Sequence, residues 1–309
     1  MERLFDKAVI IGVGLIGSSL ARVLKANGLA GKISGVARSS ENRQTALDLG
    51  IADEMTDDAA EAVRDADIVF ICTPVGAVGK VAEKIAPALK KGCIVTDVGS
   101  VKASVISAVQ PFLPEDVFFV PAHPVAGTEK SGPQNGFAEL FDGRWCILTP
   151  VSSSNEESVS LVRKVWETAG MKVEEMTPDR HDTIMALVSH LPHLIAYTIV
   201  GTAADLEEET KEEVIKFSAG GFRDFTRIAG SDPVMWRDIF LNNSEAVLNV
   251  LQRFTEDLTA LQRAIRRKEG DTLEELFRRT RNIRRRVIEA HQDQPENEKL
   301  LLKKTTRQK

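Results

Sequence analysis

Cysteine is scarce in this chain of 309 residues, and the three present, Cys72, Cys93 and Cys146, are odd in number and lie in apolar, strand-like runs. No metal-like spacing joins them. Neither a disulfide framework nor a zinc module is therefore indicated, and buried, reduced thiols in a cytoplasmic protein are the expectation. A hydrophobic leader is also missing, because "MERLFDKAVII" has too little apolar length before Gly12 for a signal peptide and reads as a first strand. One segment, "TIMALVSHLPHLIAYTIVGTAA", approaches membrane length, yet two histidines and a proline near its middle would be costly in lipid. A helix buried on all sides is the expectation there. There is no excess of basic charge, the formal net charge being -5 at pH 7, and no internal repeat. What remains, 43% hydrophobic and 28% charged, is ordinary globular composition at a length comfortable for two domains.

From Ala8 to about Thr177, short β-branched runs alternate with helical periods: "AVIIG", "KISGVA", "ADIVFICTP", "CIVTDVGS", "VFFVPAHP", "RWCILTP" and "KVEEM". Near-continuous apolar strands between helices imply a parallel sheet covered on both faces. In "SNEESVSLVRKVWETAG", Ser154 and Glu157 stand at capping-box spacing and Gly170 supplies a stop, which predicts one covering helix. After "TPDRHD" the strands cease. The rest reads as helical: a buried helix from about Asp182 to Ala204, an acidic helix around "EEETKEEVIKF", a break at Gly220 and Gly221, and two longer helices. Asp232 and Pro233 cap the first of these; Asp271 and Glu274 open the second, with Gly270 ending its predecessor. The predicted organisation is α/β at 1–178, all-α at 179–292, and a polar, frayed tail at 293–309.

Three groups of residues carry chemistry. In "AVIIGVGLIGSSLA", Gly12 permits a tight turn, Gly14 lets the backbone approach a pyrophosphate, and Gly17 allows close helix packing. The phosphate charge would then sit at a helix N-terminus opened by Leu15 and Ile16. The bare spacing is weak evidence; the strand before it and the helix after it make a Rossmann-type dinucleotide site the reading. At the end of the second strand, "GVARSSENR" places no acid at Ala37 but offers Arg38, Ser39 and Ser40, with Arg43 nearby. Such residues suit the phosphate of NADP better than the ribose hydroxyls of NAD, so NADP is favoured with NAD as the alternative; a merely solvated Arg38 is the bland one.

The second group lies at the carboxyl ends of later strands, where open α/β sheets bind ligands. It comprises "CTPV" with Thr73 and Pro74, "DVGSVK" with Ser100 and Lys102, and "AHPVAGTEKSG", whose His123 is aimed by the extended backbone that Pro124 imposes. A lone histidine is usually structural, but three polar loops on one sheet edge suggest a catalytic floor beneath a nicotinamide. The third group is helical. Pro192 interrupts "SHLPH", and His190 and His193 share a face either as core residues or as ligand contacts. Arg223, Asp224 and Arg227 follow the glycine pair as a carboxylate clamp or as an interdomain ion pair.

Together the segments "GVGLIGSSLA", "DVGSVK", "HPVAGTEKSG", "SHLPH" and "GGFRDFTRIAGSDPVMWRDIF" resemble the prephenate/arogenate dehydrogenase family of tyrosine biosynthesis, over about Lys7 to Ala290. The resemblance implies an NAD(P)-dependent enzyme: a Rossmann-type domain followed by an all-α dimerisation domain, an intertwined homodimer, and an active site between the domains. It implies oxidative decarboxylation of prephenate to 4-hydroxyphenylpyruvate, with arogenate as the alternative substrate; His193 tips the reading to prephenate. By motif position it makes His123 the base, Ser100 its hydroxyl partner, and Arg227 the carboxylate ligand supported by Asp224. His193, Gly220 and Glu129 would line the substrate pocket, and Trp236 would close it from a neighbouring subunit. Ala37 departs from the aspartate that many NAD-using members carry. No mutase segment before the nucleotide domain and no regulatory domain after the helices is expected.

Two rival classes remain. One is a different dehydrogenase, acting on a β-hydroxy acid or an imine. The other is a nucleic-acid binder using "FRRTRNIRRR", but there the arginines interleave with Leu276, Phe277, Ile283 and Val287 as on a solvated helix face, so no nucleic-acid or membrane partner is expected.

Overall fold

The computed structural model describes residues 2–128, 130–205, 216 and 219–289. Six short runs form one parallel sheet: β1 (Phe5–Ile11), β2 (Ala30–Val36), β3 (Glu54–Thr56), β4 (Ile68–Ile71), β5 (Ile94–Asp97) and β6 (Phe118–Val120), in the order β3-β2-β1-β4-β5-β6. Successive side chains of a strand point to opposite faces. Accordingly Ala8 and Ile10 enter one apolar core with Leu20, Leu24 and Trp166, while Val9 and Ile11 enter the other with Val69, Val95 and Phe119. β2 and β4 flank β1 on opposite sides, so the connections leave in opposite directions and open a crevice above the carboxyl end of β1.

The expectation of a single parallel sheet needs correcting in its second half. β7 (Ala122–Pro124), β8 (Trp145–Leu148) and β9 (Lys172–Glu175) form a separate three-stranded sheet, with β7 and β8 antiparallel and β8 and β9 parallel. The run "VFFVPAHP" is thus two strands in two sheets. Pro121 has no N–H for a ladder, and the break falls there. Hydropathy marks both halves as buried without saying which neighbour each will take. β3 escaped the sequence pattern because "EMT" has no apolar run.

The covering helix runs over Glu156–Thr168. Its capping box uses Asn155 and Ser158, one residue later than the expected Ser154 and Glu157. Ser154 instead accepts from the Val151 amide at 3.0 Å and donates to the Phe119 carbonyl, tying the loop to β6. Gly170, at φ +87, takes the left-handed conformation expected of a stop.

Beyond Thr177 the chain is helical. Pro178–Met185 and Leu191–Ala204 join through a π-turn over Ala186–His190. Pro192 explains it: lacking an N–H, proline cannot continue the α-helical ladder, and a wider turn absorbs the mismatch. Burial on all sides does not hold for the single chain. Leu187 and Val188 are 57% and 60% exposed, with Ile199 and Val200 also at the surface. Pro178–Ala203 is long and apolar enough to cross a membrane by length and composition alone.

Next come helices Gly220–Thr226, Pro233–Asn242, Ser244–Arg266 and Gly270–Glu289. Gly220 and Gly221 open a helix rather than break one. Asp232 caps its helix as expected, accepting from the Val234 and Met235 amides at 2.8 and 2.9 Å. The long helix expected from Pro233 divides at Asn243, and its stop is Lys268, at φ +57, rather than Gly270. Two compact units result, 1–250 and 251 onwards. Glu129, the tail at 293–309 and, apart from Lys216, the acidic stretch "EEETKEEVIKF" lie outside the described residues.

Candidate active site

The glycine turn between β1 and the helix Leu15–Ala26 has the geometry a dinucleotide needs. Gly12 has φ +101, and a Cβ there would lie 2.7 Å from the Cys72 carbonyl oxygen. A Cβ on Gly17 would meet the Gly12 carbonyl at 2.0 Å, so only glycine lets the helix close on the turn. At Gly14 nothing lies within 4 Å of a Cβ position. That opening faces a cavity of about 1180 Å³, lined by Gly12, Gly14, Ala37, Arg38, Ser39, Thr73 and Pro74. The amides of Leu15 and Ile16 belong to the first helical turn and lack intrahelical partners. Thr73 Oγ1 is buried with no hydrogen-bond partner among the described residues. A clear cradle, a helix N-terminus and an orphaned hydroxyl all fit a dinucleotide phosphate and its nicotinamide.

At the carboxyl end of β2, Arg43 proves structural. Its Nη1 donates to the carbonyls of Ala37 and Arg38 at 2.8 and 2.9 Å and pairs with Asp57 at 3.3 Å. Arg38 lines the cavity, as do Lys80 and Lys84. Ser39 caps the next helix, accepting from the Asn42 amide at 3.3 Å. Asn42 lines the cavity; Ser40, in the first turn, does not.

Four of the five histidines, His123, His181, His190 and His193, gather where β7 meets the helices. His123, 8% exposed, directs Nδ1 to His181 Nε2 at 2.8 Å. His181 Nδ1 meets Asp182 Oδ1 at 2.7 Å, and the Asp182 carboxylate also accepts the amides of Lys102 and Ala103 at 2.8 and 2.9 Å. These contacts assign the protons. An ionised carboxylate only accepts, so His181 carries hydrogen on Nδ1 and offers a lone pair at Nε2. His123 must therefore donate from Nδ1, which leaves its Nε2 as the basic nitrogen.

Burial, reinforced by His181, Lys102 and His190, holds His123 well below the usual imidazole range. Burial also lowers His181, against the opposing hydrogen bond of Asp182. Burial alone would raise Asp182, but His181 and the two amides outweigh it and keep the carboxyl low. The result is a neutral base held by an ionised partner.

His190 is fully buried and pushed down to about 4 by desolvation, and its Nδ1 accepts from Asn243 Nδ2 at 3.1 Å. His193 stacks on Trp236, ring centres 3.6 Å apart, and donates from Nδ1 to the Ser189 carbonyl at 2.9 Å. Burial lowers His193, the Ser189 carbonyl opposes the shift, and Arg227 adds to it, so Arg227 is near this ring. Arg227 begins the exposed turn Arg227–Gly230, which, like the helix opened by Gly220, packs on Leu191–Ala204.

Three further expected site residues have these surroundings. Among the described residues no hydrogen bond joins Ser100 to His123, whose Nδ1 is engaged by His181. Trp236, 6% exposed, packs on His193 of its own chain. Asp224 pairs with Arg223 at 3.3 Å, both well exposed. Missed altogether were His181, Asp182 and Asn243. "TPDRHD" read only as the point where strands cease, although adjacent histidine and aspartate was the available signal.

Family models of prephenate dehydrogenase match the chain twice: the nucleotide-binding domain over residues 20–175 and the dimerization domain over residues 177–279. A cyclohexadienyl dehydrogenase of Zymomonas mobilis is 43% identical over 94% of this chain and 99% of its own length. A prephenate dehydrogenase of Bacillus subtilis is 32% identical over 92% of this chain and 76% of its own. Among solved structures, prephenate dehydrogenase of A. aeolicus in complex with hydroxyphenyl propionate and NAD+ superposes with TM-score 0.85 at 37% identity, covering 91% of this chain and 98% of that one. Synechocystis arogenate dehydrogenase gives TM-score 0.77 at 30% identity, covering 91% and 99%. With both family models in tandem and one relative matched almost end to end, this chain belongs to the prephenate dehydrogenase family of NAD(P)-dependent oxidoreductases, which spans prephenate and arogenate activity.

Proposed function

We propose that this chain oxidatively decarboxylates prephenate to 4-hydroxyphenylpyruvate, with His123 as the base. The observation that carries the proposal is the buried, neutral His123 whose Nδ1 is committed to His181, leaving Nε2 basic. When bound, the nicotinamide supplies the hydride acceptor for the carbon bearing the ring hydroxyl. His123 Nε2 takes the hydroxyl proton as the carbonyl forms. Loss of the ring carboxylate as carbon dioxide leaves a phenolate, and His123 returns the proton to the same oxygen. No net proton is released. The ionised Asp182 beyond His181 favours that short-lived imidazolium.

The turn Gly12, Gly14, Gly17, the amides of Leu15 and Ile16, and the Thr73–Pro74 loop are the proposed cofactor contacts. Arg227, Asp224, His193, Gly220, Glu129 and Trp236 are the proposed substrate contacts, with Ser100 near the reacting centre. For the cofactor, Ala37 and Arg38 support NADP over NAD. A cytoplasmic homodimer is proposed, its second copy rather than lipid covering Leu187, Val188, Ile199 and Val200. That support joins the family's dimerization domain to an uncovered apolar face.

A second reading has its own observation. Because His193 Nδ1 donates to Ser189, its neutral Nε2 accepts, and an acceptor suits the ammonium of arogenate better than the keto group of prephenate. Initial rates with prephenate or arogenate, each with NAD or NADP, followed by nicotinamide absorbance, decide both points. Prephenate with NADP should be fastest; no turnover of either cyclohexadienol would sink the proposal.

A further inference from the structure

Lys102 is completely buried, and both its main chain and its side chain lead to His123. Its Nζ is ion-paired with Asp97 and donates to the Ala122 carbonyl at 2.7 Å. Asp97 Oδ1 in turn accepts the Ala122 amide at 3.3 Å. The pair therefore grips both polar groups of the residue preceding His123. At its other end, the Lys102 amide donates to Asp182 Oδ1 at 2.8 Å, and Asp182 holds His181, which holds His123 Nδ1. The contacts close into a ring: from the His123 imidazole through His181 and Asp182 to the Lys102 backbone, along the lysine side chain to Ala122, and back to His123.

We infer that Lys102 is a positioning residue for the base, fixing its backbone through Nζ and its imidazole through the amide that orients Asp182. The inference rests on reading His123 as the base. A buried ion pair is a poor device for stability alone, since apolar residues of similar volume often serve as well. What apolar residues cannot do is hydrogen-bond a peptide. Among the described residues β7 is an edge strand paired with β8 alone, and the Asp97–Lys102 pair supplies Ala122 with the partners that a second neighbouring strand would otherwise give. Direction at that peptide matters, because a misplacement of about 1 Å can cost on the order of 100-fold in rate.

Lys102→Met alone would strand Asp97 without its partner, so the test removes both charges. In the purified Asp97→Asn/Lys102→Met enzyme, kcat should fall about 30-fold or more, as expected for a misplaced base. KM for prephenate and the affinity for reduced cofactor, read by nicotinamide fluorescence, should stay within about threefold, since a base acts mainly in the transition state. Asp182→Asn opens the same ring elsewhere. Combining it with the double change should therefore add little beyond the worse single effect, because coupled contacts are not additive. A double variant with near-parental kcat overturns the inference, as do losses that multiply in the combination or kcat and KM that worsen together. If the methionine variant does not fold, Asp97→Asn/Lys102→Gln keeps amides beside Ala122 and is read by the same kcat-against-KM split. His123→Asn separates the two layers. Turnover in that variant defeats the base reading itself, whereas a dead His123→Asn beside unimpaired Lys102 variants defeats only the ring.

Discussion

At the level of single residues, the site works through protons assigned by neighbours. His123 has a basic Nε2 only because Asp182 fixes His181 and His181 fixes His123. His123→Asn should lower kcat by about 100-fold or more with little change in KM, since a positioned base is worth about 100 to 10,000 in rate. Turnover near the parental value would remove this histidine from the chemistry. Arg227 calls for the opposite signature. As a carboxylate ligand it binds the ground state too, so Arg227→Ala should raise KM strongly, a charge-assisted hydrogen bond being worth about 1.5–3 kcal/mol. A normal KM with a lower melting temperature would mark Arg227 as a structural ion pair.

At the level of elements, the sequence was clearest where one residue type has one physical use. The Gly12 turn, the Asp232 cap and the Gly170 stop were each legible because a positive φ, a first-turn amide or a close approach admits few residues. It was blind where meaning depends on a distant partner. "VFFVPAHP" could not reveal that β6 and β7 pair in different sheets, and Asn243 gave no sign that its amide bridges the Asp182 carbonyl at 2.9 Å and His190 at 3.1 Å. The end of β2 lies between these cases. The missing acid at Ala37 was plain, but the role of Arg43 appeared only once its bonds to the Ala37 and Arg38 carbonyls were seen. With Arg43 engaged, Arg38 is the residue to change. Arg38→Ala should weaken NADP much more than NAD in cofactor titrations, and Ala37→Asp should shift kcat/KM towards NAD, because a carboxylate accepts from ribose hydroxyls and repels the 2′-phosphate. An indifferent Arg38→Ala enzyme that prefers NAD by about tenfold, a difference of about 1.4 kcal/mol, would make Arg38 a surface charge.

For the molecule as a whole, the histidine cluster ties stability to pH. His123, His181, His190 and His193 are all lowered from 6.5 in the folded chain, burial being the largest cause in each. An unfolded chain restores their ordinary value, so below about pH 6.5 it binds more protons than the native state does. The sign follows: their contribution is fully present above about 6.5 and is lost as pH falls towards the folded values. For His190, fully buried and near 4, the window runs from about 6.5 down to about 4. At pH 5 that group alone should cost about 2 kcal/mol, at about 1.4 kcal/mol per pH unit. Asp182, lowered from 3.8, acts in the same direction but only at lower pH, so it does not blur the effect. Urea unfolding of the protein at pH 7 and pH 5, at one protein concentration, should therefore show a steep loss of stability. His190→Gln should flatten the slope even though it lowers stability at pH 7, because the Asn243 amide loses its acceptor. Equal stability of the parent at the two pH values would mean that the cluster takes up protons in the folded state, and a base held neutral by burial could then not be the basis of catalysis.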